Sequence, residues 1–199
     1  MLKKVVKKLI LASQSPQRSE ILKQAGFQFL VQPAYVSEIP DKNLSLDEQI
    51  LKIAKDKGMS VAKAIMDQSL DALILSADTM VCIDNKPLGK PENEDDAIKT
   101  LQLLSSRSHE VKTAVFLYDL LTKTELSHIE TTVVKFRSLG LEEIQLYVKT
   151  GEPLDKAGSY GIQGGGKKFV SEISGDYDNV VGLPIKKVVQ ILKDKKWNL

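Results

Sequence analysis

The run Ser13-Gln14-Ser15-Pro16-Gln17-Arg18 brings together the residue types that hold an anion. It lies where an apolar stretch, Leu9 to Ala12, gives way to a helical pattern through Ile21, Leu22 and Ala25. The Ser15 hydroxyl suits the cap of that helix, and Pro16 suits its first position, where a missing N–H costs nothing. Free backbone N–H groups, the positive end of the helix dipole and the Arg18 guanidinium all favour a bound anion there.

Three further places could carry chemistry. Asp78-Thr79 follows the apolar run Leu73-Ile74-Leu75 and reads as the end of a buried strand, where open α/β sheets bind ligands. A carboxylate there can take a proton from water or hold a metal, and it can equally cap a local turn. Leu88-Gly89-Lys90-Pro91 puts a Lys after a Gly that permits close approach, a setting for phosphate or for a solvated surface. Glu152 to Gly164 mixes two carboxylates, Lys156, Tyr160, Gln163 and several Gly, too long and too polar for an idle loop. Its Gln163 offers both a donor and an acceptor, which suits reading a base edge.

Gly161 to Lys168 spells G-x-x-x-x-G-K-K, one residue short of a P-loop. The reading fails because the last position lacks a hydroxyl for Mg²⁺, no apolar strand precedes it, and Phe169–Ile173 alternates like a strand where a helix must begin. His109 and His128 lie in alternating segments with no Ser or Cys nucleophile beside them, so structural roles are expected. Cys82 reads as core.

The elements that must position these groups alternate in type, which predicts an α/β or α+β fold. Val5–Ala12 reads as a buried strand, Pro16–Ala25 as a helix ended by Gly26, and Phe27–Val31 as another strand. Ser45 and Glu48 form a capping box before a helix carrying Ile50, Leu51, Ala54 and Met59. Met80–Ile83 continues the strand of Leu73–Leu75, the chain turns at Asp84–Pro87, and Asn93 caps a helix with Ile98, Leu101 and Leu104 inward. His109–Tyr118 and Glu125–Phe136 read as an antiparallel pair, Leu141–Val148 as a helix, Gly151–Gly166 as a loop and Phe169–Ile173 as a strand. Pro184 starts a last amphipathic helix with Ile185, Val188, Val189 and Leu192.

The 199 residues suffice for one domain with a sizeable core, in one or two lobes. With 28 basic and 26 acidic residues the net charge is only +2, which argues against broad nucleic-acid binding. One Cys and two His make a Cys/His zinc site unfavourable; a metal here would be Mg²⁺ or Mn²⁺ on carboxylate and substrate oxygens. The basic start, Met1 to Lys8, precedes an apolar run far below the roughly seven to fifteen residues of a signal peptide. No stretch approaches a membrane span of roughly twenty apolar residues, so a cytoplasmic protein without a membrane partner is expected.

Four segments together resemble the Maf proteins, a family of nucleoside triphosphate pyrophosphatases. They are Leu9–Leu22 (L-I-L-A-S-x-S-P-x-R-x-x-I-L), Ala77–Thr79 with Leu88–Pro91, Leu104–Val111 ending in His-x-Val, and Gly151–Pro184 with G-E-P-L-D-K-A-G-x-Y-G-I-Q-G and N-V-V-G-L-P. The resemblance implies a Maf/ITPase-like α/β fold over the whole chain: a central mixed, twisted sheet flanked by helices, two lobes around a nucleotide cleft, and a homodimer. It implies hydrolysis between the α and β phosphates with a divalent metal. By the same resemblance Asp78 is the proton acceptor, Ser13 and Arg18 hold phosphate, and Lys57 and Lys90 are cleft lysines. Glu38 is then a further carboxylate near the metal, and Asp155 and Lys156 belong to the second loop.

Thr79 and Gln163 match the branch acting on dTTP and UTP, whose first loop usually reads Ser-Pro-Arg-Arg. Gln17 stands where that branch has its first Arg, a position linked to substrate choice. The m7GTP branch differs at the same three places. An altered base preference is one alternative. A nucleotide-binding regulator of septum formation without turnover is another, and retention of Arg18, Asp78 and Lys90 together favours the enzyme.

Overall fold

The computed structural model describes residues 7–39, 41–66, 70–197 and 199. Its framework is a seven-stranded mixed sheet. The strands in chain order are β1 (Lys8–Leu11), β2 (Phe29–Val31), β3 (Ala72–Ile83), β4 (Lys86–Leu88), β5 (Ser108–Asp119), β6 (Glu125–Phe136) and β7 (Val170–Ser174). They are ordered β2-β1-β3-β5-β6-β7, with β4 paired to β3. β1 runs parallel to both β2 and β3, in register Leu9 with Phe29 and with Leu73. Parallel pairing requires crossovers, and helices α1 (Pro16–Gln24) and α2 (Leu46–Ile65) supply them. β4 on β3 and β7 on β6 pair antiparallel. α3 (Glu94–Leu104), α4 (Leu141–Val148), α5 (Tyr177–Val181) and α6 (Ile185–Asp194) complete the set.

The chain divides into two compact units. The first comprises 1–78, 114–129 and 182–199. In it α2 begins at the Ser45–Glu48 capping box, with Ser45 N donating to Glu48 Oε2 at 2.8 Å. Ile50, Ile53, Ala54, Val61 and Ala62 recur at helical spacing and are buried. Ser76 Oγ of β3 donates to the Ala54 carbonyl at 2.6 Å, fastening helix to strand. Gly58 makes the approach possible: a Cβ there would lie 2.5 Å from Phe116 Cδ1 and 2.7 Å from Ser76 Oγ. Lys7 joins Asp71 and Asp119 in an ion group at the foot of β1.

The second unit comprises 79–113 and 130–181. Its core gathers Leu101, Val111, Val134, Phe136, Ile144 and Phe169. Aromatic rings meet edge-on there, Phe136 with Tyr160 at 4.8 Å and Tyr147 with Phe169 at 5.0 Å between centroids.

The structure refines the sequence reading in several places. Of Val5–Ala12, Val5 and Val6 lie outside the described residues, as does most of the basic start; the strand is Lys8–Leu11. β3 runs through Asp78-Thr79 without a break and, as expected, continues over Met80–Ile83, which is buried and pairs with β4 from Val81. The Gly151–Gly166 segment is not an open loop. It forms short 3₁₀ turns at Glu152–Asp155 and Ala157–Ser159, and a third begins at Gly165. α5 is an addition. Its single turn lies inside the stretch Asp176–Gly182, too short to show a helical period.

Candidate functional site

The sequence-derived residues fall into two groups, one in each unit. The first starts at α1. Ser15 caps the helix by accepting from Arg18 N at 3.4 Å, with Pro16 at the first position. This turn aims the Arg18 side chain inward, where it is buried. Arg18 Nε donates to the Gly182 carbonyl at 2.9 Å and Nη1 to Ser13 Oγ at 3.2 Å. Ser13 Oγ also accepts from Ser15 N at 3.2 Å, so two donors converge on one hydroxyl and its own proton is left to donate. Gln17 is exposed and accepts from the Ser15 hydroxyl at 3.1 Å.

Lys57 comes from the middle of α2 and is buried, with 9% of its side chain exposed. Its Nζ donates to Asp78 Oδ1 at 2.8 Å and meets Glu38 Oε1 at 2.9 Å. One ammonium thus draws together two carboxylates from distant parts of the chain. Burial pushes the Arg18 guanidinium below its ordinary pKa, and the charges of Asp78 and Glu38 oppose that shift. Ser13, Arg18, Glu38, Lys57 and Asp78 are therefore one electrostatic cluster.

Asp78 and Glu38 are the residues in it that could hold a metal. Their oxygens already converge on one cation, and hard carboxylate oxygens suit Mg²⁺ or Mn²⁺ completed by substrate oxygens and water. Among the described residues no group of three or more His, Cys, Asp or Glu converges as a self-contained metal site.

The second group begins one residue further along β3. Thr79 is half-buried and its Oγ1 lies 3.0 Å from Thr113 Oγ1. Thr113 donates to the Asn179 carbonyl at 3.0 Å, so in this pair the Thr79 hydroxyl is the donor. Asn179 is fully buried, and its Nδ2 donates to the Val111 carbonyl at 2.9 Å and to Thr132 Oγ1 at 3.0 Å. Sequence reasoning missed Thr113 and Asn179 as supports of Thr79, since only tertiary contact joins them.

Lys90 is exposed after β4. The carbonyl of its neighbour Gly89 accepts from Gly158 N at 3.1 Å. Gly158 has φ +71°, and a Cβ there would press on Val81 Cγ1 at 2.9 Å, so only Gly fits this join. Lys156 Nζ donates to Asp155 Oδ1 at 2.8 Å. That bond, helped by the charge of Lys90, holds the Asp155 carboxyl below its usual pKa. Gln163 is exposed on the turn closed by Gly164 N donating to the Gly161 carbonyl at 3.1 Å. His109 has the structural setting expected of it: buried, 2.8 Å from the Tyr160 hydroxyl through Nε2 and edge-on to Phe136. Burial pulls its pKa down to about 4, so the ring is neutral near pH 7. Cys82 is buried.

The family described as Maf-like protein matches residues 8–195. The chain belongs to that family. A protein named dTTP/UTP pyrophosphatase from Bdellovibrio bacteriovorus is 50% identical over 185 residues, 92% of this chain and 96% of that one. Its namesake from Bacillus pumilus is 46% identical over 185 residues, 93% of this Maf-like chain and 95% of the relative. A crystal structure of a nucleoside-triphosphatase, dITP/XTP pyrophosphatase from Mycobacterium abscessus, aligns over 95% of this chain and 94% of that one. Its TM-score is 0.42 and its identity 12%, too distant to carry an argument. Among the described residues no helix is long and apolar enough to cross a membrane.

Proposed function

We propose that this Maf-like chain hydrolyses dTTP, UTP and related nucleoside triphosphates to the monophosphate and pyrophosphate. Near-full-length relatives with that name support the reading. The observation that carries it is Lys57 on Asp78 at 2.8 Å, within an electrostatic cluster that also holds Arg18 and Glu38. A carboxylate beside fixed cations is what water attack on a triphosphate needs.

In the proposed reaction Asp78 takes a proton from water. The water oxygen bonds to the α phosphorus, the bond from that phosphorus to the bridging oxygen breaks, and pyrophosphate leaves. Arg18, Lys57 and Lys90 offset the phosphate charge, and the Ser13 hydroxyl donates to a phosphate oxygen. Asp155 and Lys156 shape the second loop, and Thr79 and Gln163 read the base, with position 17 modulating that choice. Glu38 and Asp78 would hold Mg²⁺ or Mn²⁺, which supplies further charge neutralisation when bound. The whole chain is assigned to one Maf-like catalytic domain, acting as a cytoplasmic homodimer without nucleic-acid or membrane partners.

Incubation with dTTP, UTP, CTP and m7GTP plus Mg²⁺ or Mn²⁺, with pyrophosphate measured, tests the reading. Release is expected first from dTTP and UTP. No release from any of the four overturns it in favour of a nucleotide-binding regulator of septum formation. Release chiefly from m7GTP overturns the base assignment.

A further inference from the structure

We infer that Tyr147 and Glu152 are positioning residues for base selection, acting through the backbone of the turn that carries Gln163. The inference rests on the base-reading role proposed for Gln163. Gln163 is exposed, and the hydrogen bonds that hold its turn run through the backbone on either side of it. On one side Gly161 N donates to the Tyr147 hydroxyl at 3.1 Å. On the other Gly165 N donates to Glu152 Oε2 at 2.9 Å. The two acceptors are themselves joined, Tyr147 Oη donating to Glu152 Oε1 at 2.9 Å. A single closed circuit therefore clamps both ends of the five-residue stretch Gly161–Gly165.

The clamp is seated tightly. A Cβ at Gly164 would lie 2.1 Å from Glu152 Oε1, and one at Gly161 2.8 Å from the same atom. The glycines around Gln163 thus admit a carboxylate into the concave side of the turn. Proton inventory fixes the roles. The Tyr147 hydroxyl gives its one proton to Glu152, and Glu152 offers one oxygen to each of two donors. Gln at 152 can replace only one of those acceptors and turns a donor toward the other. Tyr147 is anchored independently by its ring against Phe169, so the hydroxyl can be removed without emptying the packing. Precise placement of a recognition group depends on such a supporting layer.

The test compares steady-state kinetics of wild type, Glu152→Gln, Glu152→Ala, Tyr147→Phe and Gln163→Ala on dTTP, UTP and CTP with Mg²⁺. Amide exchange at positions 161 and 165 is followed in parallel. Glu152→Ala is expected to raise KM for dTTP and UTP about tenfold with kcat nearly kept, so that preference over CTP shrinks. Tyr147→Phe moves the same way by less, and exchange at both amides quickens. A uniform fall in kcat on all three nucleotides marks mere loss of folded protein and overturns the inference. Preference lost in Gln163→Ala but kept in Glu152→Ala and Tyr147→Phe overturns the positioning role and leaves the base reader standing. Preference unchanged in Gln163→Ala overturns the base reader and this inference together.

Discussion

The two groups of candidate residues are built by opposite means. Around Asp78, charged side chains bind one another directly, with the cations buried: Lys57 to half-buried Asp78 and exposed Glu38, Arg18 to Ser13. Around Gln163, the side chains of Lys90, Asp155 and Gln163 are exposed and much of the order lies in the backbone, through the Gly89–Gly158 join and the turn at Gly161. The first arrangement suits charge chemistry, which needs fixed cations before the substrate arrives. The second suits recognition, where an exposed amide on a stiff turn can meet a base edge. The difference teaches that one fold can build a buried charge cluster and an exposed, backbone-held surface by separate means, which the proposed reaction would use for chemistry and for choice of base.

The strongest test of that contrast is Asp78→Asn, which keeps the shape and removes the proposed proton acceptor. It is expected to lower kcat about a hundredfold or more, by the same factor on each nucleotide. A loss that varies with the base would break the division between chemistry and choice. Acid probes the other side. In the unfolded chain His109 takes a proton at its ordinary pKa, whereas the folded protein refuses it until about pH 4. Stability is therefore full above about pH 6.5 and falls by up to about 3 kcal/mol on the way down to pH 4. Denaturant unfolding at several pH values measures this, and His109→Phe is expected to lose that part of the acid dependence. The smallest effect, a few-fold, is expected from Gln17→Arg, which should sharpen preference for dTTP and UTP. Position 17 lies beside the phosphate-type cluster, so a changed base ratio would blur the comparison in an informative way. An unchanged ratio would remove position 17 from substrate choice.

Local signals carried much of the fold. Ser15-Pro16, the Ser45–Glu48 box and Asn93 each start a helix where their hydroxyl, carboxylate or amide chemistry requires. β6 and α4 follow their hydrophobic periods to the residue. The polar pair Asp78-Thr79 reads locally as the close of one apolar run, with Met80–Ile83 continuing the strand beyond it. Lys57 and Thr113 accommodate them in mid-strand, and those partners are distant in sequence. Legibility of the candidate site divides the same way. Arg18 announced itself through the helix start, while the meeting of Lys57 with Glu38 and Asp78 was implied only by family resemblance. Glu152 was visible as one of two loop carboxylates. Its inward aim depends on Gly161 and Gly164 being bare, which no spacing rule reveals.

Gly58 gives the charge cluster a dimension. It is the neighbour of Lys57 on α2 and lies flush against Phe116 and Ser76. Its missing side chain works as a spacer of zero thickness between helix and sheet. The ammonium of Lys57 hangs from that helix and the carboxylate of Asp78 from that sheet, so the thickness at position 58 sets how far one must reach for the other. A single methyl group inserted there would touch no substrate and alter no charge. It would lengthen the lever on which the Lys57–Asp78 pair is mounted, through a change made one residue along the helix on the side that meets the sheet.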